Sequence, residues 1–267
     1  MTSLIAWVGV DSRGPASFYL ASDSRISVPR SQPWDQGPKL FAPRTSPELF
    51  GYCGDVLFPS VFLAQFLTIQ VLQDQLASSA AARHDHFSAL ARRCFDSYPK
   101  ALRHDFQILH AARESSGMNS TFRLWSSHWT PASGWDDTEV PIPTESVLVL
   151  AIGSGEETIR NHDAGWRRSA GARTSRGVFG AFCEALASRT NHHSGGPPQL
   201  VALYRKGPAE HLGVLHQGQR CLLGVPLPQR EASTLHVEWR NDLFERCDPA
   251  SMRPLPGAQK HARPPRS

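Results

Sequence analysis

The sequence predicts an α+β fold, a four-layer αββα sandwich, on three observations. The apolar segments come in the order strand pair, helix pair, strands, helix pair, closing strands, as two packed sheets covered by helices on both outer faces require. The longest apolar segment, residues 56–76, is broken by Pro59 and interrupted by Gln65, Gln70, Gln73, Asp74 and Gln75, so it reads as a core helix and not a membrane span. A chain of 267 residues with 40% hydrophobic content is long enough to bury a full core in one domain.

Taken in order, residues 4–10 form a buried strand, 11–15 (Asp-Ser-Arg-Gly-Pro) a turn, and 17–21 the return strand. Residues 39–42 give a short apolar strand after a Pro/Gly-rich loop, with Lys39 at its start. In the long helix Phe58, Phe62, Phe66, Ile69 and Leu72 recur at helical spacing and are expected to pack on a sheet. A second helix is expected from Asp85 to about Tyr98, ahead of Pro99, with Phe87, Leu90, Ala91 and Cys94 as its apolar stripe. Strands follow at 106–111, 121–126 and 147–152, and the Pro-, Trp- and Asp-rich stretch 129–143 reads as an irregular hairpin connection. Helices fit 156–166 and 176–188, and strands fit 200–204, 211–215 and 235–239. No internal repeat is present.

One domain is expected over residues 1–246 and a disordered basic Pro/Arg-rich tail over 247–267, which supplies part of the net charge of +4. The rest of the chain is nearly balanced and has no basic helix interleaved with aromatics, which argues against nucleic acid as a partner. No apolar run long enough to span a bilayer is present, and residues 4–10 lack the basic flank and length of an export signal, so no membrane partner is expected. The five cysteines, Cys53, Cys94, Cys183, Cys221 and Cys247, are scattered and never form a Cys-x-x-Cys pair; a disulfide scaffold or zinc ribbon is not expected, and a reducing cytoplasm is.

The most informative residue for function is Thr2. If Met1 is removed, which a small second residue permits, Thr2 carries a hydroxyl and a free α-amine together. An α-amine titrating near about 7.7–8.0 can take the hydroxyl proton at neutral pH, and a threonine with its own amine is a known variant of the nucleophile–base pair. Lys39 would lower the hydroxyl pKa and keep the amine neutral, and Asp23, sixteen positions before it, would hold the lysine. The opening hairpin returns Asp23 to the side of Thr2.

With these residues the chain resembles the N-terminal-nucleophile (Ntn) hydrolases of the proteasome β-subunit and bacterial HslV type. The resemblance rests on Thr2, on Ala-Ser-Asp-Ser-Arg at 21–25 and on the spacing to Lys39. It continues at 50–55, which looks like the family's strand and glycine turn before the first long helix, at 151–155 (Ala-Ile-Gly-Ser-Gly), and at 194–196 (Ser-Gly-Gly), covering roughly residues 2–215. It implies that the Gly54 N–H helps form an oxyanion hole, that Ser154 and Ser194 support the nucleophile, and that Ile26 and Cys53 line a first specificity pocket of apolar preference. The family usually has an acidic residue where this chain has Asn191, an amide that can accept a hydrogen bond but brings no charge. The implied activity is that of a threonine endopeptidase without cofactor or metal, acting on polypeptides, assembled as a homo-oligomeric ring and served by a separate AAA+ ATPase, since the chain has no ATPase motif of its own.

Each residue has a plainer reading. Thr2 is common after an initiator methionine, Asp23 caps turns, Lys39 suits a surface, and Arg25 suits a structural ion pair. Ser154 in its Gly-Ser-Gly run also suits a helix cap or a phosphate cradle, and Ser194 a turn. The pairs His84/His86 and His192/His193, with His104 and His110, raise a metal reading, but neighbours in one loop cannot all face one ion. At the level of function, a small-molecule amidase with the same nucleophile and a catalytically silent subunit stand beside the peptidase; Asn191 favours the silent subunit.

Overall fold

A computed structural model of the chain describes residues 2–27, 31–72 and 79–258. The described residues form two sheets. The larger runs in the order β12–β11–β10–β9–β2–β1–β8, with β13 paired to β10 and β14 to β13; the smaller opens on β3 (Leu40–Phe41) and runs β3–β4–β5–β6–β7. The central hairpin of the large sheet, β1 (Leu4–Asp11) and β2 (Gly14–Ser22), is antiparallel with Leu4 opposite Ser22, and β8 (Leu148–Ile152) and β9 (Gln199–Tyr204) flank it.

The layering follows from strand alternation. Leu4, Ala6, Val8, Phe18 and Leu20 point from β1 and β2 toward the small sheet, where Leu49, Leu109, Ala111, Phe122 and Leu124 meet them. The alternate residues Ile5, Trp7, Tyr19 and Ala21 point outward, onto α3 (Glu156–Trp166) and α4 (Ser175–Ala187) through Ile159, Val178, Phe179 and Phe182. On the other side Phe50 and Tyr52 of β4 (Glu48–Gly54) and Phe106 and Ile108 of β5 (Phe106–Glu114) face α1 (Leu57–Val71) and α2 (Ala80–Ser97). The four layers are therefore helices, small sheet, large sheet, helices, as the sequence predicts.

The details depart from expectation in five places, the first being α2, which begins at Ala80 and not at Asp85. Ile69 and Leu72 do not pack on the sheet; they are exposed, and the inward position is taken by Gln70, whose Nε2 donates to Glu48 Oε2 at 2.6 Å. Residues 73–76 of the expected helix lie outside the described residues. The stretch 129–143 is regular: β6 (Thr121–Thr130) and β7 (Gly134–Val140) form a hairpin with Trp129 opposite Trp135, both rings against Phe95 of α2. Residues 235–238 carry no strand; β10 (Glu210–His216), β11 (Gln219–Leu222) and β12 (Val225–Leu227) make a meander, α5 (Gln229–Ala232) follows, and β13 (Trp239–Asn241) runs parallel to β10. The expected domain boundary after Arg246 falls inside β14 (Arg246–Cys247), and the chain runs back along it, with Cys247 bridged to Pro254 and Leu255 N donating to Arg246 O at 2.8 Å. Residues 259–267 of the expected tail lie outside the described residues. Among the described residues no helix is long and apolar enough to cross a membrane.

Candidate active site

Thr2 and Ser3 lead into β1 and are buried. Leu4 pairs with Ile152 on one side and Ser22 on the other, so the chain before β1 is set between the β8–α3 turn and the end of β2. The Thr2 carbonyl accepts from Gly155 N at 3.4 Å and Ser154 Oγ at 3.5 Å. Gly153 has φ +89°, and a Cβ there would overlap the Thr2 carbonyl oxygen, so both conformation and space demand glycine.

Asp23 and Lys39 lie next to this segment with no exposed side-chain surface, Lys39 Nζ donating to Asp23 Oδ1 at 2.7 Å. The same oxygen accepts from Ser3 N at 3.0 Å, and Oδ2 accepts from Gly195 N at 3.0 Å and Arg25 N at 3.2 Å. Four donors thus fix the carboxylate, and through it the lysine is tied to the residue after Thr2. Burial pushes the Lys39 ammonium below the ordinary lysine range, while the charge and hydrogen bond of Asp23 act to keep its proton on. Arg25 makes the expected ion pair, bidentate to Asp35 at 2.7 and 2.8 Å.

A second network joins the supporting residues. Ser3 Oγ donates to Ser194 Oγ at 2.7 Å, and Asn191 Nδ2 donates to Ser194 Oγ at 3.3 Å and Ser154 Oγ at 3.2 Å. Asn191 Oδ1 is occupied by His193 N at 2.9 Å. Asn191 therefore gives hydrogen bonds to the serines instead of accepting from them, the reverse of the direction expected from the sequence.

Gly54 ends β4 with φ +89°, and a Cβ there would overlap the Asp105 carbonyl oxygen. Gly54, Cys53, Gly153 and Ser154 line a cleft of about 650 Å³ together with His104, Asp105 and His128, with His128 Nε2 and Asp105 Oδ1 3.1 Å apart. Cys53 is buried, which pushes its thiol up to about 12, so it is not a competing thiolate nucleophile. Ile26 is not in this cleft: it bridges Trp34 and its side chain covers Gly37. Cys53 lines this cleft and Ile26 does not, so the two residues expected to share a first specificity pocket lie apart.

The structure thus brings Thr2, Asp23, Lys39, Ser154, Asn191 and Ser194 together, sets Cys53 and Gly54 beside them, and leaves Ile26 apart. Sequence reasoning missed Ser3 and Gln199. Gln199 is fully buried; its Oε1 accepts from Lys39 N at 3.0 Å and its Nε2 donates to Gly37 O at 2.7 Å and Ser24 Oγ at 3.1 Å, which fixes the loop that delivers the lysine. A lone amide heading the apolar run Leu200–Leu203 was the available signal, since a buried amide in a strand must find partners. His84 and His110 meet as hydrogen-bond partners, and the described residues hold no group of three His, Cys, Asp or Glu suited to an ion.

No family model and no curated protein matches the chain. Solved structures do. The Anbu (ancestral β-subunit) protein of Yersinia bercovieri superposes with a TM-score of 0.55 at 11% identity over 84% of this chain and 88% of its own. Anbu of Pseudomonas aeruginosa, solved as a helical assembly, gives 0.55 at 13% over 82% and 86%. The BPH protein of Thiobacillus denitrificans, solved in complex with epoxomicin, gives 0.50 at 14% over 77% and 100%. The fold is that of the proteasome-like Ntn hydrolases.

Proposed function

We propose that this chain is an N-terminal threonine peptidase. The observation that carries the reading is the sealed Lys39–Asp23 pair bonded to Ser3 N, immediately after Thr2. With Met1 removed, the Thr2 hydroxyl attacks the scissile carbonyl of a polypeptide and its own amine takes the proton. Lys39 stabilises the developing alkoxide, the Gly54 N–H stabilises the tetrahedral oxyanion, and an acyl-threonine ester forms as the amine product leaves. Water then attacks the ester and returns the Thr2 hydroxyl. Asp23 orients Lys39, and Ser154, Asn191 and Ser194 hold hydrogen bonds around the nucleophile. No cofactor or metal enters this chemistry.

Copies of the chain associate in the cytoplasm, in keeping with five free cysteines and an exposed apolar face on α1, and form a ring or a helical array like that of the Pseudomonas Anbu complex. A separate AAA+ ATPase delivers unfolded substrate. Hydrolysis of fluorogenic peptides by wild type and Thr2→Ala tests the reading: turnover is expected in wild type and none in the variant. Turnover of small amides with no peptide cleavage would replace the peptidase by an amidase.

A second reading, a silent subunit that keeps the fold, is favoured by the reversed hydrogen bonds of Asn191. Asn191→Asp places a carboxylate within reach of both serines; an inert wild type with an active Asn191→Asp variant would decide for the silent subunit.

A further inference from the structure

A chain of four titratable side chains crosses the seam between α2 and the small sheet. Glu48 Oε1 of β4 lies 3.0 Å from His110 Nε2 of β5, His110 Nδ1 lies 3.0 Å from His84 Nδ1 of α2, and His84 Nε2 lies 3.2 Å from Asp137 Oδ1 of β7. Glu48 and His110 are fully buried and His84 is 4% exposed. Both ends are held as carboxylates. Burial acts to raise Glu48, but the His110 hydrogen bond, the Arg83 charge and the Ser46 hydrogen bond bring it down below the usual carboxylate range. Burial likewise opposes ionisation of Asp137, yet hydrogen bonds from His84, Ser88 and Ser127 hold it well below the usual carboxylate range.

The proton count follows from the geometry. A carboxylate only accepts, so each Nε2 that faces one carries a proton. The two Nδ1 atoms at 3.0 Å then need one proton between them: with none, two lone pairs face each other, and with two, two N–H groups do. Burial, acting against the pull of Glu48, pushes His110 below the ordinary histidine value, which assigns the neutral ring to His110 and the imidazolium to His84. The surroundings match. His84 stacks on Trp125 at 4.5 Å and 5°, a π-face suited to a cation, and His110 stacks on Phe50 at 4.4 Å and 12°.

We propose that this chain is a binding site for a single proton, and that the proton latches both outer helices to the small sheet. Glu48 ties in α1 as well, through Gln70 Nε2 to Oε2, and Arg83 Nε of α2 lies 3.4 Å from Oε1. The other charges facing the seam are Arg92 of α2, 3.8 Å from Asp137, and Glu139 of β7, held as the anion first by its ion pair with Arg123 of β6 and then by His84. The folded chain holds one proton on the pair across neutrality. Two unfolded histidines of ordinary value about 6.5 hold one proton between them at about pH 6.5, more below it and fewer above. Stability rises with pH where the unfolded state binds more protons and falls where it binds fewer, so the latch contributes most near about pH 6.5 and less on either side.

Two measurements test this on the full chain. Melting temperature is recorded across pH 5–9 for wild type and His84→Gln; the variant keeps a neutral His110 in the fold, so the wild-type advantage is expected to be largest at the acid end and to fall as pH rises through about 6.5; an advantage that is flat across the range or grows with pH overturns the proposal. If His84→Gln does not fold, ¹⁵N-histidine NMR of wild type decides alone: one buried ring protonated on both nitrogens beside one neutral Nε2–H ring supports the site, and two neutral rings at pH 6.5 overturn it.

Discussion

Lys39 and Asp23 form an ion pair without solvent on either side, and removing one partner of such a pair leaves an uncompensated buried charge. Lys39→Met is therefore expected to destabilise the fold by about 3–5 kcal/mol, measured by denaturant unfolding, and to abolish peptide hydrolysis. The burial that lowers the Lys39 pKa also sets a pH limb: the cation is lost as pH rises, at a lower pH than for ordinary lysine, and alkoxide stabilisation goes with it. Hydrolysis is expected to decline on the alkaline side before the ordinary lysine value of 10.5 is reached, as a pH–rate profile would record. Much of this was legible at the residue scale, because Thr2, Asp23 and Lys39 sit at a spacing that one hairpin and one short strand bring together. Ile26 was not. Its exclusion from the cleft follows from the bridge to Trp34 and the bare surface of Gly37, neither of which leaves a local sequence signal.

At the scale of elements, α2 is held by an aromatic cluster as well as by the proton chain. Phe87 has no exposed surface and packs against Phe50, Phe62 and Phe66 at 5.2–5.7 Å. Phe87→Ala is expected to cost about 3–5 kcal/mol, read as a lowered denaturation midpoint, without shifting the pH at which stability is greatest. Helices with end signals were readable: Glu156 and Glu157 in the first turn mark α3, whose bounds match the expected 156–166. The β6–β7 hairpin was not, because Asp136 and Asp137 look like loop residues. In the fold β7 is an edge strand, where one carboxylate faces out and the other turns in to His84, Ser88 and Ser127. Gln70 misled in the same way: helical spacing favours Ile69 and Leu72 as core, but the buried Glu48 demands a donor, and Gln70 supplies it.

Over the whole molecule, α1 is apolar on both faces, and Leu57, Val61, Ile69, Val71 and Leu72 are 46–79% exposed. A helix apolar all round is expected to be covered, and the proposed self-assembly covers it. Val61→Glu, at an exposed position away from the sheet, is expected to shift the protein toward monomer in analytical ultracentrifugation while leaving its circular dichroism unchanged; an unchanged mass would remove α1 from the assembly surface. The layer order was legible because helix and strand periods alternate along the chain, whereas the closing strands β11–β14 were not, being two to four residues long. The central claim is that Thr2 becomes a working N-terminal nucleophile. Intact mass of wild type and Thr2→Ala, before and after incubation with epoxomicin, tests it directly: loss of Met1 and a single adduct in wild type alone is predicted, and Met1 retained, or no adduct after its loss, would contradict it.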